Sequence, residues 1–546
     1  MTSSRKKNRA YVPLVVSVAL IIGFVLGINI HSTHKENATL LIPTGRSNFN
    51  LLNSIVEYAE NEYVDEVQKE ELISKTAQFM LQELDPHSYY ISAEELEAMN
   101  EPLEGNFDGI GIQFNIQKDT IVVVTPLIGG PSERVGIKAG DRIIKVDGET
   151  VAGVEISNRE VISKLKGPKG TRVQVNIVRN SSEEELEFSI TRDKIPIHSV
   201  DVGYMLDNET GYIKISRFAK NTYQEFMESG SELREAGMEY LILDLRGNGG
   251  GFLDAAVAIT DEFLKEGQLI VYTEGRARAR EEYRASSKSR FADVRVAVLL
   301  DESSASASEI LAGAIQDNDR GVIIGRRSYG KGLVQEQTAW PDGSATRLTI
   351  ARYYTPTGRS IQRPYAQGAD SYHQAFYDRY HNGEMLSADS IDLPDSLRFE
   401  TPGGKVVYGG GGIVPDVFVP IDTNGSSLYL NALSYAGLIY DFAFDYADHH
   451  RDELNAYGSW EAYDRSFRIT GDMLQKLVGF AAQNGIEEDK NGLKRSQAII
   501  ERRLKAYIAR NIWNSKGFYP IWNEEDVAVQ RASEELKKGT LAEFPF

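Results

Sequence analysis

Hydrophobic and polar positions change their spacing several times along the chain, and each change predicts a different kind of element. Residues 12–30 form an uncharged apolar run behind Arg5, Lys6, Lys7 and Arg9. Its 19 residues, at about 1.5 Å each, span about 28 Å, close to one hydrocarbon core. Residues 46–100 switch to helical spacing, with Leu51, Leu52, Ile55 and Val56 on one face and Leu72, Ile73, Thr76, Ala77, Met80 and Leu81 on another. Asp85-Pro86 closes the second of these helices. From 103 to 192, glycines punctuate short β runs at 110–116, 121–124, 142–146 and 173–178, with helical patterns at 131–135 and 158–165. Residues 193–364 alternate apolar strands (212–215, 241–245, 294–300, 322–324) with helical segments (222–236, from 253, 310–315), which is the signature of β-α-β crossovers in an α/β core. Residues 365–400 are polar and irregular and read as an insertion or exposed loop. From about 425 the pattern is helical again, as at 499–508 and 527–538.

These shifts divide the chain into a basic stub and anchor (1–30), a helical region (31–102), a small β-rich module (103–192), an α/β core (193–424) and a C-terminal helical domain (425–546). The apolar run predicts a single-pass anchor of bacterial inner-membrane type, basic end inside and the rest on the periplasmic side. A cleaved signal peptide is the competing reading, but Gly27-Ile28-Asn29-Ile30-His31 offers no clean small-x-small site. Net charge is −19 over 546 residues, which argues against nucleic acid as a partner. The chain has no cysteine, so thiolate metal sites, thiol nucleophiles and disulfides are all excluded. His449-His450 lacks the i, i+4 spacing of a helical metal site.

Candidate chemistry concentrates in residues 298–335. A strand, a turn of small residues with Ser304, Ser306 and Ser308, a helix, and a second strand lead toward Lys331. The turn sets a serine at a helix N-terminus, and parallel neighbouring strands bring the turn and the lysine to one sheet edge. Gly325 to Lys331 fits a phosphate-loop pattern, yet Gly332 and β-type sequence follow where a Ser or Thr and a helix are required. Arg246-Gly247-Asn248-Gly249-Gly250-Gly251 suits an oxyanion hole better than a dinucleotide site. A serine nucleophile needs a base. His198 reads as strand packing, and His87 as packed or capping. A lysine serves if its pKa falls from about 10.4 toward 7–8, a cost of about 4 kcal/mol. Burial supplies that shift, with Arg326 and Arg327 expected to help by repulsion. In the β-rich module, Gly109, Ile110, Gly111 and Ile112 form a glycine-relaxed loop entering a strand, able to turn N–H groups toward a carboxylate.

That loop, with PSERVGIKAGDRIIKVDGE behind it, resembles a PDZ domain, which implies capture of protein C-terminal tails with residues 109–112 on the carboxylate. SASASE followed by GRRSYGKGLVQ, with LRGNGGG and LDPHSYYIS, resembles the C-terminal processing proteases, a Ser-Lys family with a crotonase-like α/β core. The resemblance covers roughly residues 46–425. It implies Ser306 as nucleophile, Lys331 as general base and Gln335 as the residue orienting the lysine. Strand alternation would place 331, 333 and 335 on one face. The oxyanion hole would be the N–H groups of Ala307 and Gly250, while Ser304 and Ser308 form the turn and Glu309 caps it. No metal or cofactor is implied. The expected partners are protein or peptide substrates with accessible C-terminal tails, the membrane through residues 12–30, and a regulatory partner or second copy through residues 425–546. A PDZ scaffold on an inactive protease body would lack the serine, lysine or glutamine, and all three are present. A crotonase-type acyl-CoA enzyme fits poorly with an anchor and a tail-binding module.

Overall fold

A computed structural model describes residues 50–127, 129–179 and 182–538. The predicted anchor at 12–30 lies outside the described residues, and no described helix is long and apolar enough to cross a membrane. The chain divides into two compact units, up to Ile73 and from Ser74 on. In the first, α1 (Leu51–Glu62) starts at an Asn50 cap, and Leu51, Leu52 and Ile55 of its apolar stripe remain exposed. Helix α2 (Lys69–Gln82) spans the division.

The second unit opens with β1 (Tyr89–Ile91) and α3 (Ala93–Glu104), the latter begun by a Ser92–Glu95 capping box. The chain enters the β-rich module through β2 (Asn106–Gly109). There, β3 (Ile112–Gln117), β4 (Thr120–Pro126), α4 (Pro131–Val135), β5 (Arg142–Val146), β6 (Glu149–Thr150), α5 (Asn158–Leu165), β7 (Arg172–Arg179) and β8 (Ser182–Thr191) follow. The sheet order is β3-β4-β5-β7-β8, so β3 is an edge strand. Exit is by β9 (Asp193–Pro196), which pairs antiparallel with β2 and makes a two-stranded stalk. Ile121 and Val123 alternate inward to the module's core while Val122 and Val124 face out, yet all four are buried.

The core sheet runs β10 (Val200–Met205), β11 (Thr210–Ile215), β12 (Tyr240–Asp244), β15 (Arg295–Leu300), β16 (Gly321–Gly325) and a short strand at Val417–Phe418, parallel except for β10. Helices α6 (Thr222–Glu235), α7 (Leu253–Asp261) and α8 (Ala307–Asp317) pack on one face, against Ile213, Leu243, Val298 and Ile323. Tyr212, Ile242, Leu299 and Ile324 alternate to the other face. A second sheet joins β1, β13 (Leu269–Glu274), β14 (Glu281–Arg284), β17 (Leu333–Ala339) and β18 (Ala345–Tyr354), with β17 and β18 as a hairpin.

Two regions differ from the pattern-based reading. Residues 365–400 are not an exposed loop: they hold α9 (Ala369–Asp378) and bury Arg379 and Glu384. The polar pattern misleads because those charges neutralise each other in place, at 2.8 Å. The C-terminal region is not one domain either. Helices α10 (Leu428–Tyr435), α11 (Leu438–His449) and the long Lys490–Asn523 share their own core, but the last helix, Val527–Lys537, covers the second face of the core sheet through Ala528, Val529, Ala532 and Leu536.

Candidate active site

Ser306 is the N-cap of α8 and has φ 56° and ψ −110°, a strained conformation for a residue with a side chain. Small neighbours make it attainable. Gly250, at φ 103°, passes so close that a Cβ there would lie 2.8 Å from Ser306 Cβ. The turn itself separates the three serines. Ser304 Oγ donates to Leu245 O (2.9 Å) and Ser308 Oγ to Asn248 O (2.9 Å), both buried. Ser306 lines a cavity of about 590 Å³ shared with Lys331, Gln335, Tyr353, Ile310, Leu253 and Arg347.

Lys331 does not lie on a strand. β16 ends at Gly325 and β17 begins at Leu333, so the lysine is carried by the intervening loop, and a register irregularity falls between Val334 and Gln335. Regular alternation is therefore not what joins Lys331 to Gln335, although Nζ donates to Oε1 at 2.9 Å. Gln335 Nε2 in turn donates to the carbonyl of His87. The Asp85–Ser88 turn, read from sequence only as the close of a helix, thus holds the glutamine; Asp85 Oδ1 accepts from the N–H groups of His87 (2.8 Å) and Ser88 (2.9 Å). The His87 ring is packed, its Nε2 3.0 Å from Tyr372 Oη, with its pKa lowered to about 4 by burial and then by the Lys331 charge. His198 is exposed rather than packed, paired with Glu225 at 2.9 Å.

Burial pushes the Lys331 pKa below its ordinary value, and the guanidinium of Arg347 adds to the shift. Arg326 and Arg327 do not contribute as expected: each is neutralised, by Glu302 at 2.8 Å and by Glu384 at 2.6 Å. Glu309 does more than cap the turn. Its fully buried carboxylate accepts from Ser306 N–H (2.7 Å), Ser328 Oγ (2.5 Å), Gly330 N–H (2.7 Å) and Lys331 N–H (2.9 Å). Tyr353 Oη reaches the carbonyls of both Ser306 (3.1 Å) and Lys331 (2.7 Å). Two side chains therefore lock the Ser306 turn to the Lys331 loop. Tyr353 carried no local signal; Glu309 was visible only as a helix-start acid.

The Gly250 N–H does not serve as an oxyanion donor here, because it donates to Asn248 Oδ1 at 2.9 Å. Ala307 N–H donates to no described group and lies 3.1 Å from the Gly250 Cβ direction. In the β-rich module, the carbonyl of Ile110 is held by Ser132 N–H (3.0 Å) and Oγ (2.7 Å), and that of Gly111 by Leu127 N–H (3.0 Å). The N–H groups of Ile110 and Gly111 donate to no described group. They sit between Gly109, the last residue of β2, and Ile112, the first of the open-edged β3.

A family model described as peptidase family S41 matches residues 209–368, a PDZ domain model residues 109–190, and a family of unknown function (DUF8443) residues 429–514. The carboxy-terminal processing protease CtpA of Bacillus subtilis (strain 168) is 34% identical over 321 residues, 59% of this chain and 68% of that protein. A carboxy-terminal-processing protease of Bartonella bacilliformis is 36% identical over 314 residues, 56% of this chain and 71% of its own length. Among solved structures, a photosystem II D1 C-terminal processing protease aligns with 69% of this chain and 88% of its own, at 26% identity and a TM-score of 0.36.

Proposed function

As a member of peptidase family S41, the carboxy-terminal processing proteases, this chain is a serine-type peptidase with a PDZ domain, and we propose that Ser306 is its nucleophile and Lys331 its general base. The observation that carries the reading is the half-buried Lys331 side chain. It is held by Gln335 in the cavity that Ser306 lines, with a lowered pKa and no carboxylate among the described residues hydrogen-bonded to Nζ. A lysine so placed is poised to be neutral, which is what a base requires.

In the proposed cycle a substrate tail binds at residues 109–112 and lies along the open edge of β3. Neutral Lys331 takes the Ser306 proton as Oγ attacks the scissile carbonyl. The developing oxyanion is met by Ala307 N–H and by a backbone N–H of Gly249 or Gly251, since that of Gly250 is occupied. Lys331 then protonates the leaving amine, and water releases the acyl group from Ser306. The apolar run at 12–30 would tether this chemistry to a membrane, with the catalytic part on the extracytoplasmic side.

The test is cleavage of a peptide with a free C-terminal tail by purified protein. Ser306→Ala and Lys331→Ala are each expected to lower kcat at least about 10³-fold while the fold is retained. Turnover by a folded Lys331→Ala protein would refute the dyad.

A further inference from the structure

The outward face of the PDZ sheet is covered by one helix of the C-terminal domain, and the contacts fall in order. The strand registers set Asn115 opposite Val122, and Val122 opposite Arg142, so these three residues form one row across β3, β4 and β5. On α11, Asp441, Phe444 and Asp448 are spaced three and four apart and share a face. Asp441 is half-buried near the Asn115 amide, whose buried Nδ2 has no hydrogen-bond partner among the described residues, and burial raises the Asp441 pKa. Phe444, 1% exposed, forms a closed apolar cluster with Val122 and Val124. Asp448 pairs with Arg142 at 3.0 Å, with the aspartate side chain 3% exposed. The match is metrical as well. Seven residues of helix rise about 10.5 Å, and two interstrand steps cover about 9.6 Å.

The approach is close. A Cβ on Gly140, at the turn into β5, would stand 2.9 Å from Asp448 Oδ1. Val122 and Val124 would otherwise be two adjacent β-branched residues exposed on a polar module's surface, so the sequence of β4 is written for two buried faces. The PDZ module's own connection to the protease core is the two-stranded stalk of β2 and β9. A stalk of that kind allows a hinge rotation unless a second contact blocks it.

We infer that α11 is a docking site for the outer face of the PDZ sheet, and that it fixes that module in one orientation for delivery of tails to Ser306. The helix sets Asp441 near Asn115 of β3, the strand that a tail would extend, so tail binding and docking act on neighbouring strands of one sheet. This gives the region of residues 429–514 a role as an intramolecular brace. The delivery half rests on the protease reading above; the docking half does not.

The absence of cysteine makes the test clean. Thr150→Cys on the PDZ module and Gln475→Cys on the helix Gly471–Gln483, which shares a core with α11, are both exposed and would carry spin labels in the full chain. A single narrow distance is expected, broadening when Arg142→Glu or Phe444→Ala is added. In the unlabelled chain, each of those two substitutions is expected to lower kcat/KM for a tailed peptide roughly tenfold. The pair together should do no more than either alone, because both break one interface. The rate of Ser306 labelling by a small phosphonate should not change. A broad distance in the parent, or a narrow one in both variants, would overturn the docking. Broadening without any loss in cleavage of the tailed peptide would overturn its role in delivery. A parent protein that cleaves nothing would instead fail the protease reading and leave the distance measurement to decide the docking.

Discussion

Among the single residues, Glu309 organises the site. Four donors converge on its two oxygens, and two of them are the backbone N–H groups of Ser306 and Lys331 themselves. Glu309→Gln would turn an amide NH₂ toward donors that need an acceptor. The expected result is a loss of about 1–3 kcal/mol in denaturant unfolding and a kcat lower by about 10–100-fold. Burial also raises the Glu309 pKa to about 7. A raised carboxyl pKa favours the folded state below the unfolded value of 4.5 and loses that contribution as pH rises through 7. The stability of wild type relative to Glu309→Gln should therefore be greatest near the bottom of that window and shrink toward pH 8, as checked by unfolding curves at several pH values. Arg347 acts on the same lysine by charge. Arg347→Gln removes a cation that holds the Lys331 pKa down, so the acidic limb of the kcat/KM profile should move to higher pH, with less activity at neutral pH.

Elements decide how these residues meet. The Lys331 loop between β16 and β17 is braced by the 365–400 segment: Glu384 accepts from Arg327 at 2.6 Å and from Arg379 at 2.8 Å, and Arg379 also donates to the carbonyl of Ser328 (3.0 Å). Glu384→Ala would leave two largely buried guanidiniums without a counter-charge. A loss of about 3–5 kcal/mol is expected from thermal unfolding, with lower kcat and little change in tail affinity. None of this was legible in the polar, irregular sequence of 365–400, because a buried charge reads as an exposed one until its partner is known. The strands and helices of the core were legible, since residues 212–215, 241–245, 294–300 and 322–324 are apolar apart from Lys214, Asp244 and Arg295, and both faces of their sheet are covered. The resemblance paired Lys331 with Gln335 and strand alternation agreed; they do hydrogen-bond, but through a loop and an irregular register that no periodicity foretells.

For the whole molecule, the chain couples a tail-binding module, a protease core and a helical domain. The proposed anchor at residues 12–30 has its own test: the full protein should stay with membranes through alkaline carbonate extraction, and a form lacking residues 1–30 should be soluble and cleave the tailed peptide at an unchanged rate. The sequence by itself determined the order of elements, which rests on local periodicity, and a serine-bearing turn and a lysine led to one sheet edge. The two kinds of module, and Ser306, Lys331 and Gln335 as nucleophile, base and orienting residue, are what the resemblance to PDZ domains and C-terminal processing proteases implies. The tertiary structure alone decided which serine is free, that Arg347 rather than Arg326 or Arg327 acts on Lys331, that Gly250 is occupied by Asn248, and that the last helix closes the core sheet. Each of these depends on which distant group satisfies a hydrogen bond, a charge or an apolar face, and such partners are separated along the chain by tens to hundreds of residues.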